Sequence, residues 1–339
     1  MTDLARVVTP EVLLLAAFCF AVVAGGSGPL IRLLVKFDLM AHPNERSNHT
    51  VATPEGSGIL VIAALIPAWF LIADRPMAHV LVPALVLGVL SWLDDTRGLS
   101  PAIRFPAHIL AVAAALWFEP TFIYPLQQFV PEPLAYFIIA FVWVWFINLF
   151  NFMDGIDGIT GAETASIGIG VAAVVAVHGL AADFGALGIC TAATALGFLI
   201  WNWPPAKVFL GDVGSVPLGF LLGWLLLSLA AAGPWIVAII LPAYYLADST
   251  LTLLYRMVRR KKIWRAHREH FYQRAAVGWR NHGRVVICML ACNLVLIAIS
   301  VTYDRFGFFG SWVLAAVPVA VLLAVFLGAG RSASTPPGA

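Results

Sequence analysis

The sequence predicts an all-α, polytopic membrane helix bundle, on three observations. Of the 339 residues, 61% are hydrophobic and only 11% are charged, and mean hydropathy is +0.91; a water-soluble chain of this length carries far more charge. Apolar blocks of about 16–25 residues recur along the whole length, enough to cross a bilayer as helices. The polar and basic residues collect in alternate connections between those blocks. Inside a bilayer the backbone must satisfy its own hydrogen bonds, which selects helices.

The blocks run 11–35, 58–73, 78–93, 101–118, 133–153, 159–178, 183–202, 214–231, 234–257, 285–303 and 309–329. The second and third are short enough to be tilted or re-entrant, so the count is ten or eleven. The first lacks a small-residue cleavage site after it and reads as a retained span, not a signal peptide. Residues 1–329 read as one integral membrane domain. The tail "GRSASTPPGA" (330–339) is small, polar and Pro-rich and reads as disordered. Cys19, Cys190, Cys288 and Cys292 lie in the blocks without metal-ligand spacing to His, so they read as small packing side chains.

Charge sets the orientation. With eleven spans, all but Arg6, Arg75 and Arg305 of the 20 Lys and Arg fall on one side. The positive-inside rule puts that side in the cytoplasm and the N-terminus outside. The formal charge of +2 identifies no partner, and nothing points to nucleic acid. The basic stretch 256–284 suits anionic lipid headgroups, but it also carries His267 and His270, which an anchor does not need.

The unusual polar stretches all fall on the same side: "HPNERSNHTVATPEGSG" (42–58), "DDTRGLSPAIR" (94–104), "NLFNFMDGIDGITG" (148–161), "NWPPAKVFLGDVGS" (202–215) and "AHREHFYQR" (266–274). Asp94 and Asp95 are adjacent acids at the end of an apolar helix, where they need a cation or a basic partner; otherwise they are two exposed helix-end acids. Asp212 follows an apolar run beside glycine, and carboxylates near phosphate suit Mg²⁺ or Mn²⁺. The plainer alternative is a helix cap, with Lys207 balancing its charge. Asn148, Asn151, Asp154 and Asp157 recur at every third position. Over nine residues a helix turns by about 900°, so an unbroken helix cannot aim all four at one target. Gly155 and Gly158 therefore place a helix end near Met153. His267, Arg268 and His270 suit phosphate better than zinc, because Arg offers a fork of donors and a protonated His donates from both nitrogens. Asp248, inside the ninth block, either pairs with Arg256 or serves structure only.

Together these five motifs, in this order over residues 38 to about 285, resemble the polyprenyl-phosphate N-acetylhexosamine-1-phosphate transferase family. The resemblance implies about ten or eleven transmembrane helices with a cytoplasmic cleft, in a bacterial inner membrane. It implies transfer of a sugar 1-phosphate from a UDP-sugar to undecaprenyl phosphate, with UMP released and Mg²⁺ or Mn²⁺ required. By the same resemblance, Asp212 and Asn151 hold the metal, and Asp94 and Asp95 lie beside it and the acceptor phosphate. Arg104 contacts phosphate where relatives usually carry Lys. Phe209 stacks on uracil, with Asp157 near the base. His267, Arg268 and His270 hold the diphosphate and sugar, and Asn148, Asp154 and Asn202 complete the substrate cleft.

Some positions depart from the family pattern. Ala41 stands where relatives often have Asp, Glu55 where they often have Arg, and "GSG" replaces a glycine triplet. "EHFYQR" lacks the extra histidines typical of the pentapeptide-transferring branch, which resembles this chain less than the branch that starts O-antigen and related surface glycans. A transporter would place polar residues near mid-span and on both faces. The sugar is open, and so is a homodimer.

Overall fold

The computed structural model describes residues 4–43, 51–74, 76–261 and 267–332. Arg75, the "NERSNHT" part of the first loop, loop residues 262–266 and tail residues 333–339 lie outside them. The chain folds as an all-α bundle: α1 (Pro10–Lys36), α2 (Gly58–Ile72), α3 (Ala78–Arg97), α4 (Pro101–Trp117), α5 (Glu132–Phe152), α6 (Ile159–His178), α7 (Ala182–Asn202), α8 (Asp212–Ala231), α9 (Ala243–Val258), α10 (Phe271–Trp279), α11 (His282–Val301) and α12 (Tyr303–Ser332).

Among the described residues, eight helices are long and apolar enough to cross a membrane: α1, α3, α5, α6, α7, α8, α11 and α12. The other expected spans are irregular. At 15 residues α2 is short, about 22 Å at 1.5 Å per residue against a hydrocarbon core of about 30 Å. After α4 the chain bends by 98° into Pro120–Gln127. The ninth block is two helices, Trp235–Ile240 and α9, parted at Leu241–Pro242; proline supplies no N–H to continue the ladder. In α12, Gly307 breaks the helix at φ 63°, and the helix runs on to Ser332, so residues 330–332, expected in the tail, are helical.

The central post is α8, buried along nearly its whole length and packed on α2, α3 and α5. Its apolar residues face protein on every side, which is why its sequence has no polar stripe. Two backbones nearly touch where it begins. A Cβ on Gly58 would lie 2.3 Å from the Gly214 Cα, so the starts of α2 and α8 meet only because both are glycine. Just before α2, two short antiparallel strands, β1 (Met40–Ala41) and β2 (Thr53–Pro54), close the base of the first loop. The segment leading into α8 is laced to that loop: Phe209 N–H donates to the Pro54 carbonyl (2.8 Å), and Gly58 N–H donates to the Leu210 carbonyl (2.9 Å).

The helix end expected near Met153 is present: α5 stops at Phe152 with Met153 as its cap. The turn that follows reaches α6 through Gly158 at φ 80°. Tyr272 of α10 closes over it, its hydroxyl donating to the Phe152 carbonyl at 3.1 Å. Connections far apart in sequence thus meet at one end of the bundle.

Candidate active site

Four side chains form the centre of that end. Asp94, at the last turn of α3, accepts from the Leu99 N–H (2.6 Å) and from the Arg104 guanidinium. The same guanidinium reaches Asp212 Oδ2 at 3.3 Å. Asn151 of α5 donates to Asp212 Oδ1 at 2.6 Å and lies 2.9 Å from the Ser215 hydroxyl. Asp95 faces the other way. Its oxygens accept from the Asp212 N–H (3.2 Å) and the Val213 N–H (3.0 Å), so it caps α8 from another helix. Gly211 is held at φ 75°, and a Cβ there would meet Asp95 Oδ2 at 2.9 Å; only glycine combines that backbone with that approach.

Exposure separates the roles. The Asp94 side chain is 9% exposed, whereas Asp212 and Arg104 are 31% and 37% exposed. Asp212 is thus held only by side chains and remains partly exposed, while Asp94 and Asp95 are each tied to backbone N–H groups. Beside this centre lies a pocket of about 780 Å³ lined by Thr53, Asp157, Phe209, Arg280, Asn281, His282 and neighbouring apolar residues.

A family model for "Glycosyl transferase family 4" matches residues 77–230, which contain the whole acid–arginine centre. Over those residues the chain is similar to glycosyl transferase family 4. It is 27% identical over 278 residues to a probable undecaprenyl-phosphate N-acetylglucosaminyl 1-phosphate transferase of Bacillus subtilis, covering 78% of this chain and 77% of the relative. It is 26% identical over 309 residues to a decaprenyl-phosphate N-acetylglucosaminephosphotransferase of Mycobacterium tuberculosis, covering 77% and 74%. A phospho-N-acetylmuramoyl-pentapeptide-transferase of Picosynechococcus is 30% identical over 238 residues, covering 63% and 62%. With its span-length helices and these relatives, the protein is a multi-pass membrane enzyme of the phosphotransferase class.

The donor set of this centre fits a hard divalent cation. Among the described residues no three His, Cys, Asp or Glu side chains close into a metal cage. Mg²⁺ does not need one: it keeps several waters and takes one or two carboxylates plus substrate phosphate. Asp212 is the partly exposed carboxylate for that task, with the Asn151 amide against it.

Acid crowding supports the same fit. Burial pushes the Glu55 carboxyl up to about 7, and nearby Asp212 adds to the shift. Burial also pushes Asp154 up to about 7, with Glu55 and Asp212 contributing. Both groups bind protons more tightly folded than unfolded. The stability they contribute is therefore present below the ordinary carboxylate range and is lost as pH rises through about 7. The thermal midpoint of metal-free protein is expected to fall between about pH 5 and pH 8, and Glu55→Gln to flatten part of that fall. Thermal melts in detergent across that range check this; superimposable profiles for the two proteins would contradict it.

Several expected residues take other tasks. Asn148 turns back on its own helix, donating to the Val144 carbonyl at 2.7 Å. Asn202 is buried: its oxygen accepts from the Gly158 N–H and its amide donates to the Val208 carbonyl, both at 2.8 Å. It joins two loops of the site and does not line the pocket. Asp157 does line the pocket, held by the Ala206 N–H (3.0 Å) and by His282 (3.3 Å). Burial raises its carboxyl, and the His282 and Ala206 contacts outweigh that and hold it below the usual range. Lys207 lies over the Trp201 ring at 5.4 Å, so Arg104, not Lys207, balances Asp212.

His267 is held down to about 4, first by burial and then by His270 and Arg256. At neutral pH it is uncharged and donates from one ring nitrogen, not two. His270 is 2% exposed and paired with Asp248 at 3.1 Å, which takes it out of the open cleft. Of the two alternatives for Asp248, pairing with Arg256 is not seen among the described contacts, where Arg256 binds Glu269. Arg268 lies between the two histidines in sequence. Sequence reasoning missed Arg280 and His282 on the pocket wall. They lie inside the basic stretch 256–284 with no spacing that marks them.

Proposed function

We propose that this enzyme transfers an N-acetylated hexosamine 1-phosphate from a UDP-sugar to a polyprenyl phosphate such as undecaprenyl phosphate. UMP and the polyprenyl-diphosphate-sugar are the products. The observation that carries the reading is the Asp94–Arg104–Asp212–Asn151 constellation beside a pocket that contains Phe209 and Asp157. The names of the relatives supply the acceptor and the N-acetylated sugar.

The reaction joins two anions, so charge repulsion is the first barrier. A bound Mg²⁺ supplies charge neutralisation on phosphate oxygens and a template for them, and Asp212 with Asn151 would hold it. Arg104 offers a planar fork at the same place and orients phosphate. The acceptor phosphate is largely ionised at neutral pH, with a second pKa of about 6, so its oxygen attacks the β-phosphorus without strong base assistance. Asp94, fixed by two donors, keeps Arg104 aimed. Asp95 fixes the start of α8 and so the height of Asp212.

In the donor pocket Phe209 offers its ring to the base. Base–aromatic stacking is worth about 1–3 kcal/mol, so Phe209→Ala is expected to raise the donor KM about tenfold or more while leaving the acceptor KM in place. Steady-state kinetics with each substrate varied separately check this, and an unchanged donor KM would remove Phe209 from the base site.

The positive-inside rule, applied to the basic connections, supports a centre at the cytoplasmic face of an inner membrane with the N-terminus outside. The role is the first membrane step of a surface glycan. A membrane assay of UMP release with a panel of UDP-sugars tests the reading, each with and without polyprenyl phosphate and Mg²⁺. Release is expected only when all three are present; metal-independent release, or none with any sugar, would count against it.

A further inference from the structure

Asp248 belongs to α9 and is fully buried, yet none of the chemistry above uses it. Its carboxylate is surrounded by donors. Oδ2 accepts from the Tyr244 hydroxyl (2.9 Å) and the Tyr272 N–H (3.0 Å). Oδ1 accepts from the Phe271 N–H (3.1 Å), from the Thr252 hydroxyl (3.4 Å), and faces His270 Nδ1 at 3.1 Å. Phe271 and Tyr272 open α10, and first-turn N–H groups have no partner within their own helix. Asp248 supplies it from α9, and a negative charge is favoured there.

The histidine proton follows from the same geometry. His270 Nδ1 faces Asp248 Oδ1 at 3.1 Å, and in the capping box of α10 the His270 side chain also accepts from the Gln273 N–H, so an acceptor and a donor compete for one ring nitrogen. A bare Nδ1 would set its lone pair against a buried carboxylate oxygen. A protonated Nδ1 makes a charge-assisted bond, the stronger of the two options. His267 stacks on the His270 ring at 5.0 Å between centroids, and Tyr272 stacks on it at 5.6 Å. Tyr272 in turn reaches the Phe152 carbonyl beside Asp154.

We infer that Asp248 is a positioning residue for the donor side of the cleft: it fixes His270 with its proton on Nδ1 and thereby holds the segment carrying His267 and Arg268. The kinetic part of this inference rests on the proposed reaction; the tautomer does not. Asp248 touches no substrate and acts through the segment it holds.

The test has two independent readouts. In ¹⁵N spectra of histidine-labelled protein, with His270 assigned by its loss in His270→Asn, Nδ1 is expected to carry the proton and Nε2 to be bare. The opposite tautomer would overturn the inference. In kinetics, His270→Ala is expected to raise the donor KM about tenfold, because buried donors and acceptors lose partners, with the acceptor KM unmoved. His270→Asn places an N–H where Nδ1 stands and is expected to recover most of that loss. His270→Gln, with its N–H at the Nε2 place, is expected not to. Asn and Gln variants that behave alike, or an unmoved donor KM in the Ala variant, would overturn the inference. A wild-type enzyme that makes no lipid-linked product would sink the proposed reaction instead, leaving the spectra to judge Asp248.

Discussion

Asp212→Asn is expected to lower kcat by about a thousandfold or more, with the protein still folded. The reasoning starts from exposure. Asp212 is the one acid of the centre whose carboxylate is both partly exposed, at 31%, and held by a positioned amide. Replacing one oxygen by an amide keeps the shape but removes the charge that would hold a divalent cation. Folding does not need that charge. Asp95 caps α8 through backbone N–H groups, which the substitution leaves alone. Removing one anion also relieves Glu55 and Asp154, both raised in part by Asp212. The thermal midpoint is therefore expected to hold or rise while UMP release disappears. Near-normal turnover would take Asp212 out of the metal site.

Arg104→Ala is expected to cost about a hundredfold or more in kcat/KM, and Arg104→Lys distinctly less. Arg104 is the cation that touches both Asp94 and Asp212. Without it, two carboxylates face each other across the place where phosphate must arrive. Lysine restores the charge but not the fork, so it can neutralise one acid without bridging two. Because Arg104 is 37% exposed, the effect on stability is expected to be small beside the effect on rate. Kinetics of the two variants with thermal melts separate these. Equal losses in the Ala and Lys variants would mean that geometry, not charge, is what the position supplies.

The parts of this molecule that depend on local pattern were legible in the sequence, and those that depend on distant pairing were not. The end of α5 follows from two facts available at once: the angular drift of four polar residues and the glycines after two of them. The apolar blocks announce helices because length and hydropathy are local. The breaks are harder to read. Pro242 splits the ninth block, yet Pro29, Pro67, Pro83, Pro106, Pro217 and Pro318 sit inside continuous helices. Neighbouring helices decide whether a freed carbonyl is tolerated.

In the site, motif order points to Asp94, Asn151 and Asp212 as one group, and the structure sets them side by side through contacts that the sequence does not reveal. Asp95 looks like a twin of Asp94, and only the 117-residue separation from its backbone partner reveals a cap. Lys207 is five residues from Asp212 and was the natural counter-ion by proximity. The fold sends it to Trp201 and brings Arg104 from 108 residues away. Asp248 shows the same limit: Arg256 lies two helical turns on, but its partners come from the start of α10.

The most direct test of the central proposal follows the β-phosphate of the donor. A UDP-sugar radiolabelled at that phosphate is incubated with the purified enzyme, polyprenyl phosphate and Mg²⁺, and the products are partitioned between organic and aqueous phases. Transfer of a sugar 1-phosphate predicts the label in the lipid phase and UMP as the nucleotide product. Label recovered in UDP, with an unlabelled sugar on the lipid, would mean that the sugar moves without its phosphate and would contradict the account.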